Sequence, residues 1–282
     1  MSAVAAPPLV EVRGPGALSG GPRRFAYLAL MLAWTTFKLR FFGSALGYLW
    51  QLLRPLALFG VLLFVFTQVA RVGADVAFYP AVLIANIVLF TWFADGSSAV
   101  TSLVDHESLV RKIHFPRLAI PVAVVLTASL NLVLNGLVVL AFALALGVRP
   151  RWTWLELPLL VGALGVLTVG MAMLLSALYV RFRDVKPIWE VCLQVLFYGS
   201  PILYALEAVD LPGRLRELMM LNPLAAILQQ VRHAVIDPAA PSAAELAGGA
   251  GWLLVPAAIV VGAFALGFWV FDREAPRIAE EL

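Results

Sequence analysis

The stretch LAIPVAVVLTASLNLVLNGLVVLAFALALGV, residues 118–148, contains no Asp, Glu, Lys or Arg. About 20 apolar helical residues are enough to cross the hydrocarbon core of a bilayer, so this stretch predicts a membrane-spanning helix that tilts or extends beyond the hydrocarbon. The whole chain agrees, because 62% of its 282 residues are hydrophobic, only 13% are charged and the mean hydropathy is +0.93. Soluble domains carry about a quarter charged residues, and this composition excludes that class.

Five further uncharged blocks predict an all-α integral membrane protein. The six predicted transmembrane helices cover approximately residues 46–70, 77–101, 119–147, 156–180, 188–206 and 249–271. They form one transmembrane domain over residues 23–275, between a Pro- and Gly-rich disordered tail at 1–22 and a short tail at 276–282. Arg54 falls inside the first span, and since an arginine at the bilayer centre costs about 3 kcal/mol on insertion scales, we place it near an interface.

The apolar stretch from Phe25 to Phe37 precedes the first span and is too short to cross. Basic residues flank it on both sides: Arg23, Arg24, Lys38 and Arg40. A signal peptide has basic residues only before its apolar run and a small-residue cleavage site after it, which this stretch lacks. We therefore predict an amphipathic helix that lies along the membrane interface.

The Lys and Arg residues predict the orientation in the membrane. With the N-terminus inside, fourteen of the twenty fall on the cytoplasmic side and six on the other. The positive-inside rule therefore places both termini in the cytoplasm. The net charge of +3 and pI near 9.2 are explained by these flanking cations, and we expect no nucleic-acid partner.

Several kinds of chemistry lack the residues they need. Cys192 is the single cysteine, which excludes an internal disulfide and any Cys-rich metal site. The three histidines, His106, His114 and His233, form no HExxH spacing. No GxxxxGK[ST] phosphate-binding loop occurs either. We expect no metal, no cofactor and no catalytic site in this chain.

The connection between spans two and three, residues 102–117, carries a compact set of charges. Ser102 followed by Asp105 is a loose capping signal, acids come early and bases late, and Pro116 ends the pattern. We predict a short cytoplasmic helix that docks on a partner. The alternative is a solvated loop whose cations only obey the positive-inside rule.

Two other loops leave alternatives open. Residues 181–187 predict a tight basic turn that sets topology. The loop at 207–245 contains the apolar stretches Leu215–Leu221 and Leu224–Val231, separated by Asn222 and Pro223. These predict two short helices that either dip into the outer leaflet, covered by protein, or lie on the outer surface.

Polar residues within the spans are few. Asp95, late in the second span, is a candidate functional carboxylate or a hydrated interfacial group. Asn131 and Asn135 share one helix face, as interhelical hydrogen bonding requires. Aromatic residues are abundant, and their ordinary role is the interfacial belt. Rings can also stack on the C–H faces of sugars, and our candidates for such a track are Phe90, Trp92, Phe93, Tyr198 and Tyr204.

The chain resembles the transmembrane subunits of type-2 ABC exporters, in the polysaccharide and polyol-phosphate branch. The stretches that carry the resemblance, in this order, are LGYLWQLLRP at 46–55, LVRKIHFPR at 109–117, RFRDV at 181–185, SPILY at 200–204 and LNP at 221–223. The match covers nearly everything from Phe25 to Phe271. Each motif is weak alone, whereas their order and spacing together are specific.

The resemblance implies a bacterial cytoplasmic-membrane permease that exports undecaprenyl-diphosphate-linked glycans such as O-antigen, teichoic acid or cell-wall galactan. Such subunits work as homodimers with two separate ATPase subunits, which hold the ATP and Mg. The loop helix would then be the coupling helix, with Asp105, Glu107, Arg111, Lys112, His114, Phe115 and Arg117 as its docking residues. The lipid pyrophosphate would enter near Arg23, Arg24, Lys38, Arg40 and Arg54, although each of these cations also satisfies the positive-inside rule.

Three other functions are alternatives: another ABC exporter, an intramembrane enzyme and a proton-driven carrier. A type-2 ABC exporter of a drug or small lipid would share the architecture. An intramembrane lipid-phosphate transferase needs a cluster of acids or histidines facing a cavity, and a proton-driven carrier needs paired intramembrane charges. Asp95 alone supplies neither.

Overall fold

The computed structural model describes residues 16–18, 21–41, 48–69, 76–112, 115–209 and 211–278. The long helices are α1 (Pro22–Phe41), α2 (Tyr48–Phe64), α3 (Tyr79–Ser97), α6 (Ala119–Ala145), α7 (Glu156–Arg181), α8 (Val185–Gly199) and α12 (Leu254–Glu274). The short ones are α4 (Ser102–Asp105), α5 (Glu107–Lys112), α9 (Gly213–Met220), α10 (Pro223–Val231) and α11 (Ala243–Leu246). These residues contain no β-strand, and the all-α prediction is confirmed.

Among the residues that the structure describes, five helical segments are long and apolar enough to cross a membrane. They are Leu52–Val69, Tyr79–Asp105, Ala119–Ala145, Trp152–Arg181 and Ala250–Glu274. The remaining predicted span, 188–206, overlaps α8, which begins three residues earlier and whose fifteen residues measure about 22 Å along the helix axis. A non-helical segment follows it. The count of six spans stays a prediction, as do the proposed domain limits, and residues 1–15 of the predicted tail lie outside the described part.

Helix α3 forms the centre of the bundle. Its sequence is apolar on every side, which is typical of a helix surrounded by protein. Neighbours α2, α6 and α7 pack around it, and α8 adds Trp189 to the same cluster. By contrast, α2 and α12 leave most of their apolar side chains exposed within the protomer.

Helices α7 and α12 approach each other through glycines. A Cβ atom on Gly170 would lie 2.7 Å from the Cα and N atoms of Phe264. A Cβ on Gly267 would overlap the carbonyl oxygen of Gly170. Because backbone meets backbone here, only glycine permits the observed packing, as in other close helix pairs of membrane proteins.

Helix α1 confirms the predicted helix before the first span, and one of its faces is buried against the bundle. Ala29, Ala33 and Phe37, each four residues apart, are buried, and α1 packs against α6. The Thr127 hydroxyl of α6 donates a 3.3 Å hydrogen bond to the Ala33 carbonyl. Small side chains thus set this contact, while large ones such as Tyr27 and Trp34 are exposed. The interfacial location of α1 stays a prediction.

The predicted single helix over residues 102–117 is wrong in its start and its continuity. Thr101, not Ser102, binds Asp105, with its hydroxyl 2.7 Å from a carboxylate oxygen. Helix α3 runs through a 3₁₀ turn into α4. The helix is interrupted by a turn at His106, and α5 begins at Glu107. Asp105 is therefore the last residue of α4, which continues from α3, and its carboxylate binds the Thr101 hydroxyl one turn before it.

The helices predicted after span five are present as α9 and α10. Leu224 to Gln229 in α10 are buried, whereas α9 is largely exposed. Asn222 caps α10, since its side-chain oxygen accepts a 3.0 Å hydrogen bond from the Leu224 amide. Burial by protein favours the re-entrant interpretation for α10, and exposure favours a surface position for α9.

Candidate functional site

The non-helical segment after α8, residues 200–205, is held in place by buried side chains. The Asn86 amide donates to the Pro201 carbonyl at 3.0 Å, and the Tyr79 hydroxyl donates to the Leu203 carbonyl at 2.7 Å. Asn222 adds a 3.0 Å hydrogen bond to the Ser200 hydroxyl. Irregular backbone within an apolar bundle needs such partners for its carbonyl groups. The central helix α3 therefore positions the end of α8.

Arg232 ties the end of α8 to the re-entrant helix. Its guanidinium pairs with Glu207 and lies 3.9 Å from the carboxylate of Asp237. The arginine is buried, so removal of either acid would leave a charge that is costly to bury. This cluster makes α10, its π-helical turn Arg232–Ile236 and residue 207 one unit.

Three of the five predicted glycan-track aromatics lie in the core of the protomer. Phe90 packs edge to face on Phe197 at 5.0 Å between ring centroids, and Phe93 packs on Trp189 at 6.2 Å. Trp92 donates a 3.2 Å hydrogen bond to Ser129. All three are buried, so in this conformation a sugar cannot stack on them from outside the protomer. Their position follows from α3 being the central helix.

The other two predicted rings, Tyr198 and Tyr204, lie together at the end of α8. Tyr198 is 68% exposed, and the Tyr204 hydroxyl donates a 3.4 Å hydrogen bond to the backbone carbonyl of Tyr198. Phe197 contacts both Phe90 and Tyr198, at 5.0 and 5.2 Å between centroids, and so links the buried rings to the exposed one. A role in glycan contact stays a prediction for this pair.

Helix α8 presents a polar stripe that the sequence analysis missed. Lys186, Glu190, Gln194 and Tyr198 follow one another at intervals of four residues, and all are exposed. Ile188, Val191 and Val195 lie beside them, also exposed, while Trp189 faces the core. The four-residue spacing was a readable signal, but Glu190 lies just outside the uncharged block. In the predicted fifth span, an exposed glutamate and glutamine require polar surroundings.

A small polar pocket lies between α2, α3 and α6. It is lined by Arg54, Thr91, Trp92, Asp95, Asn131 and Asn135, among others, and its volume is about 20 Å³. Asn131 is only 3% exposed, and no hydrogen bond to either side-chain atom occurs within the described residues. Asn135 donates instead to the Asn131 backbone carbonyl at 3.1 Å. The predicted hydrogen bonding of this asparagine pair to another helix is therefore not observed.

The predicted phosphate-binding cations are divided between two places. Arg40 and Arg54 lie close enough to Asp95 for their charges to interact with its carboxylate. Asp95 thus has basic neighbours from two other helices, which the sequence analysis did not find because they lie far away along the chain. Lys38 lies over the Trp34 ring at 5.1 Å, and Arg23 and Arg24 are exposed at the start of α1.

The predicted coupling residues also fall into groups that differ in their exposure. Asp105 is exposed and Glu107 half-buried at the beginning of α5. Arg111 and Lys112 have no described side chains, and His114 lies outside the described residues. Phe115 and Arg117 point inward instead: Phe115 joins a buried cluster with Phe271, and Arg117 donates to the Ala275 carbonyl at the end of α12. Both are buried in the described conformation, and their role in docking stays a prediction.

Within the described residues no cluster of His, Cys, Asp or Glu suits a metal ion. Comparison with known sequences then decides the family. The sequence profile described as "ABC-2 type transporter" matches residues 27–236, which run from within α1 to the end of the π-helical turn after α10. The chain belongs to the ABC-2 type transporter family.

Named relatives of this permease agree with that result. An O-antigen export system permease protein RfbA of Klebsiella pneumoniae is 29% identical over 198 residues, covering 70% of this chain and 75% of the relative. The protein of the same name from Myxococcus xanthus is 28% identical over 223 residues, covering 78% and 84%. The predicted resemblance to ABC exporter permeases is thereby confirmed.

Membership in this family implies an ATPase partner, since the permease is the transmembrane part of an ABC transporter. The sequence is consistent with this division, because it contains no phosphate-binding loop of its own. Helix α5 lies at the end of the bundle where α3 and α4 end and α6 begins. The α10 segment lies at the opposite end, beside the start of α7.

Proposed function

We propose that this permease exports a polysaccharide linked to a polyprenyl diphosphate such as undecaprenyl diphosphate, across the bacterial cytoplasmic membrane. It works as a homodimer with two ATPase subunits, which supply ATP and Mg. Both termini and α5 face the cytoplasm, in agreement with the charge distribution. The two named relatives, both O-antigen export permeases, support the substrate class.

The polar stripe of α8 is the observation that carries this proposal. A glutamate facing lipid is costly, so Glu190 and Gln194 require either water or a protein partner. The apolar residues beside them, such as Val191 and Val195, suit contact with a second copy. Two copies that meet along α8 would enclose a polar path between them. Tyr198 and Tyr204 would then contact sugar rings at the end of this path.

ATP binding drives the transport cycle in this proposal. Closure of the two ATPase subunits displaces α5, and the two protomers rock apart to open the path. The lipid pyrophosphate approaches the exposed cations at the cytoplasmic end, of which Arg54 lines the polar pocket and Arg40 acts through its charge on Asp95 of that pocket. The long glycan follows the α8 path while its lipid stays in the membrane.

Transport by the reconstituted complex tests the substrate class. We expect liposomes with the permease and its ATPase to translocate a fluorescently labelled polyprenyl-diphosphate glycan only with hydrolysable ATP. Depletion of the permease from cells should also cause this glycan lipid to accumulate on the cytoplasmic face. Transport of a small lipid or drug in place of the glycan would favour the alternative exporter. An ATPase-deficient complex serves as the control.

Cysteine labelling tests the orientation of α8. In a Cys192→Ser background, we expect Gln194→Cys and Tyr198→Cys to react with a membrane-impermeant maleimide during turnover, because both face the aqueous path. Val195→Cys is the matched control: Val195 is 66% exposed in the protomer but lies on the apolar side. It should react at least about tenfold more slowly, since a thiol in lipid or an interface is not ionised. Equal labelling of all three would contradict the α8 path.

A further inference from the structure

The polar pocket between α2, α3 and α6 has the size of one small polar group. Its volume of about 20 Å³ is enough for one water molecule or one hydroxyl group. Arg54 lies at the pocket from α2, Asp95 and Trp92 from α3, and Asn131 from α6. Three helices therefore contribute to a polar cavity inside an otherwise apolar bundle.

Asn131 is the feature of this pocket that packing does not explain. Both its side-chain nitrogen and its side-chain oxygen are buried without a hydrogen-bond partner among the described residues. A buried amide without partners destabilises a fold, and apolar replacement of the same shape removes the penalty. An amide left in this condition at the wall of a cavity is suited to a ligand that both donates and accepts hydrogen bonds. A hydroxyl group does both.

The charges around the pocket narrow the choice of ligand. Asp95 would repel a bare phosphate that entered the pocket, and Arg54 would repel a cation. A ligand that carries a hydroxyl group next to a phosphate would pair with the basic, acidic and amide side chains of the pocket. Its phosphate binds Arg40 and Arg54, whose charges already act at Asp95, and its hydroxyl donates to Asp95 and pairs with the Asn131 amide.

We propose that this pocket is the recognition subsite for the first sugar of the lipid-linked glycan. One hydroxyl of that sugar occupies the pocket between Asp95 and Asn131, and the adjoining phosphate lies on Arg40 and Arg54. The inference rests on the proposed function and adds the residues that distinguish a glycosylated lipid from the bare carrier lipid. The bare carrier lipid lacks this hydroxyl, so it binds the subsite more weakly and is released after export.

Binding of two defined lipids to the complete permease–ATPase complex tests this subsite. The probes are polyprenyl diphosphate and polyprenyl diphosphate carrying one N-acetylhexosamine, each titrated in nanodiscs with ATPase stimulation as the readout. We expect the wild-type complex to bind the sugar-bearing lipid about tenfold more tightly, as hydrogen bonds to a charged group allow. Asn131→Leu and Asp95→Asn should abolish this preference. Arg54→Met should weaken both lipids alike.

Thermal unfolding separates a binding role from a structural one. Asn131→Leu should raise the melting temperature of the permease, because it removes an amide without partners. Val133→Leu is the matched control, since it lies on α6 with 59% of its side chain exposed and does not line the pocket. It should leave both the lipid preference and the melting temperature unchanged.

Three results would overturn the proposal in distinguishable ways. A wild-type complex that exports glycan but binds both lipids equally contradicts the subsite and leaves the proposed function intact. A preference that persists in Asn131→Leu, or a lowered melting temperature of that variant, identifies a pocket filled by water alone. A complex that binds neither lipid and exports no glycan contradicts the proposed function, and the subsite with it.

Discussion

Replacing Gly267 with alanine is expected to prevent the permease from forming a stable helical bundle. The added Cβ atom would overlap the carbonyl oxygen of Gly170, which belongs to the backbone of α7 and cannot rotate away. Helices α7 and α12 would have to separate along their shared contact, the most extensive between any two described helices. Overpacking costs about 1–3 kcal/mol where side chains can yield, and we expect at least the upper value here.

The same helix offers a matched control. Gly262 lies on α12, and a Cβ atom there would meet no atom within 4 Å. Gly262→Ala should therefore be neutral or stabilise the helix by up to about 1 kcal/mol. Thermal unfolding of the purified permease in detergent, followed by size-exclusion chromatography, measures both variants. Equal melting temperatures for Gly267→Ala and the wild type would show that α7 and α12 do not meet at this glycine pair.

Uncoupling of ATP hydrolysis from export is the expected result of replacing Glu107 and Arg111 together with glutamine. Both residues belong to α5, a separate short helix that follows the turn at His106. Loss of two charged contacts at an interface centre commonly weakens it by more than a factor of ten. We expect export per ATP hydrolysed to fall about tenfold in reconstituted complexes.

Arg181→Gln is the control for this experiment, because Arg181 is an exposed cation at the same end of the bundle but in the last turn of α7. It should retain normal coupling. Arg117→Met differs from both variants, since Arg117 is buried and bound to the end of α12, and its loss should lower the stability of the permease itself. Normal coupling in the Glu107 and Arg111 double variant would exclude α5 as the docking helix.

The connection between spans two and three, residues 102–117, shows why some site residues were predictable and others not. Charge order and Pro116 were enough to locate a short helix between spans two and three. The sequence pattern could not tell which side chains of that segment face a partner. Phe115 and Arg117 resemble surface residues of a basic loop, but the last turn of α12, about 150 residues away along the chain, covers them. Such burial depends on a contact between distant segments, which local pattern does not encode.

The polar pocket illustrates the same limit for charges. Asp95 looked isolated because no basic residue lies near it in its own span, and Arg54 looked interfacial because arginine is costly in lipid. The packing of α2 against α3 brings both to one cavity with Asn131 of α6. Similarly, the aromatic density of α3 suggested a sugar track, whereas the central position of that helix turned Phe90 and Phe93 into core residues.

By itself, the sequence determined the class of this protein: an all-α membrane protein with largely uncharged helices, cations gathered at their ends and no ATP-binding loop. These properties follow from composition and local order, because the transfer of a side chain from water to lipid is set mainly by that side chain. Only the tertiary structure decided which residues meet: the Gly170–Gly267 contact, the polar stripe of α8 facing outward, and the cavity shared by Arg54, Asp95 and Asn131. Those arrangements depend on how whole helices pack, and packing is a property of pairs of surfaces rather than of single residues.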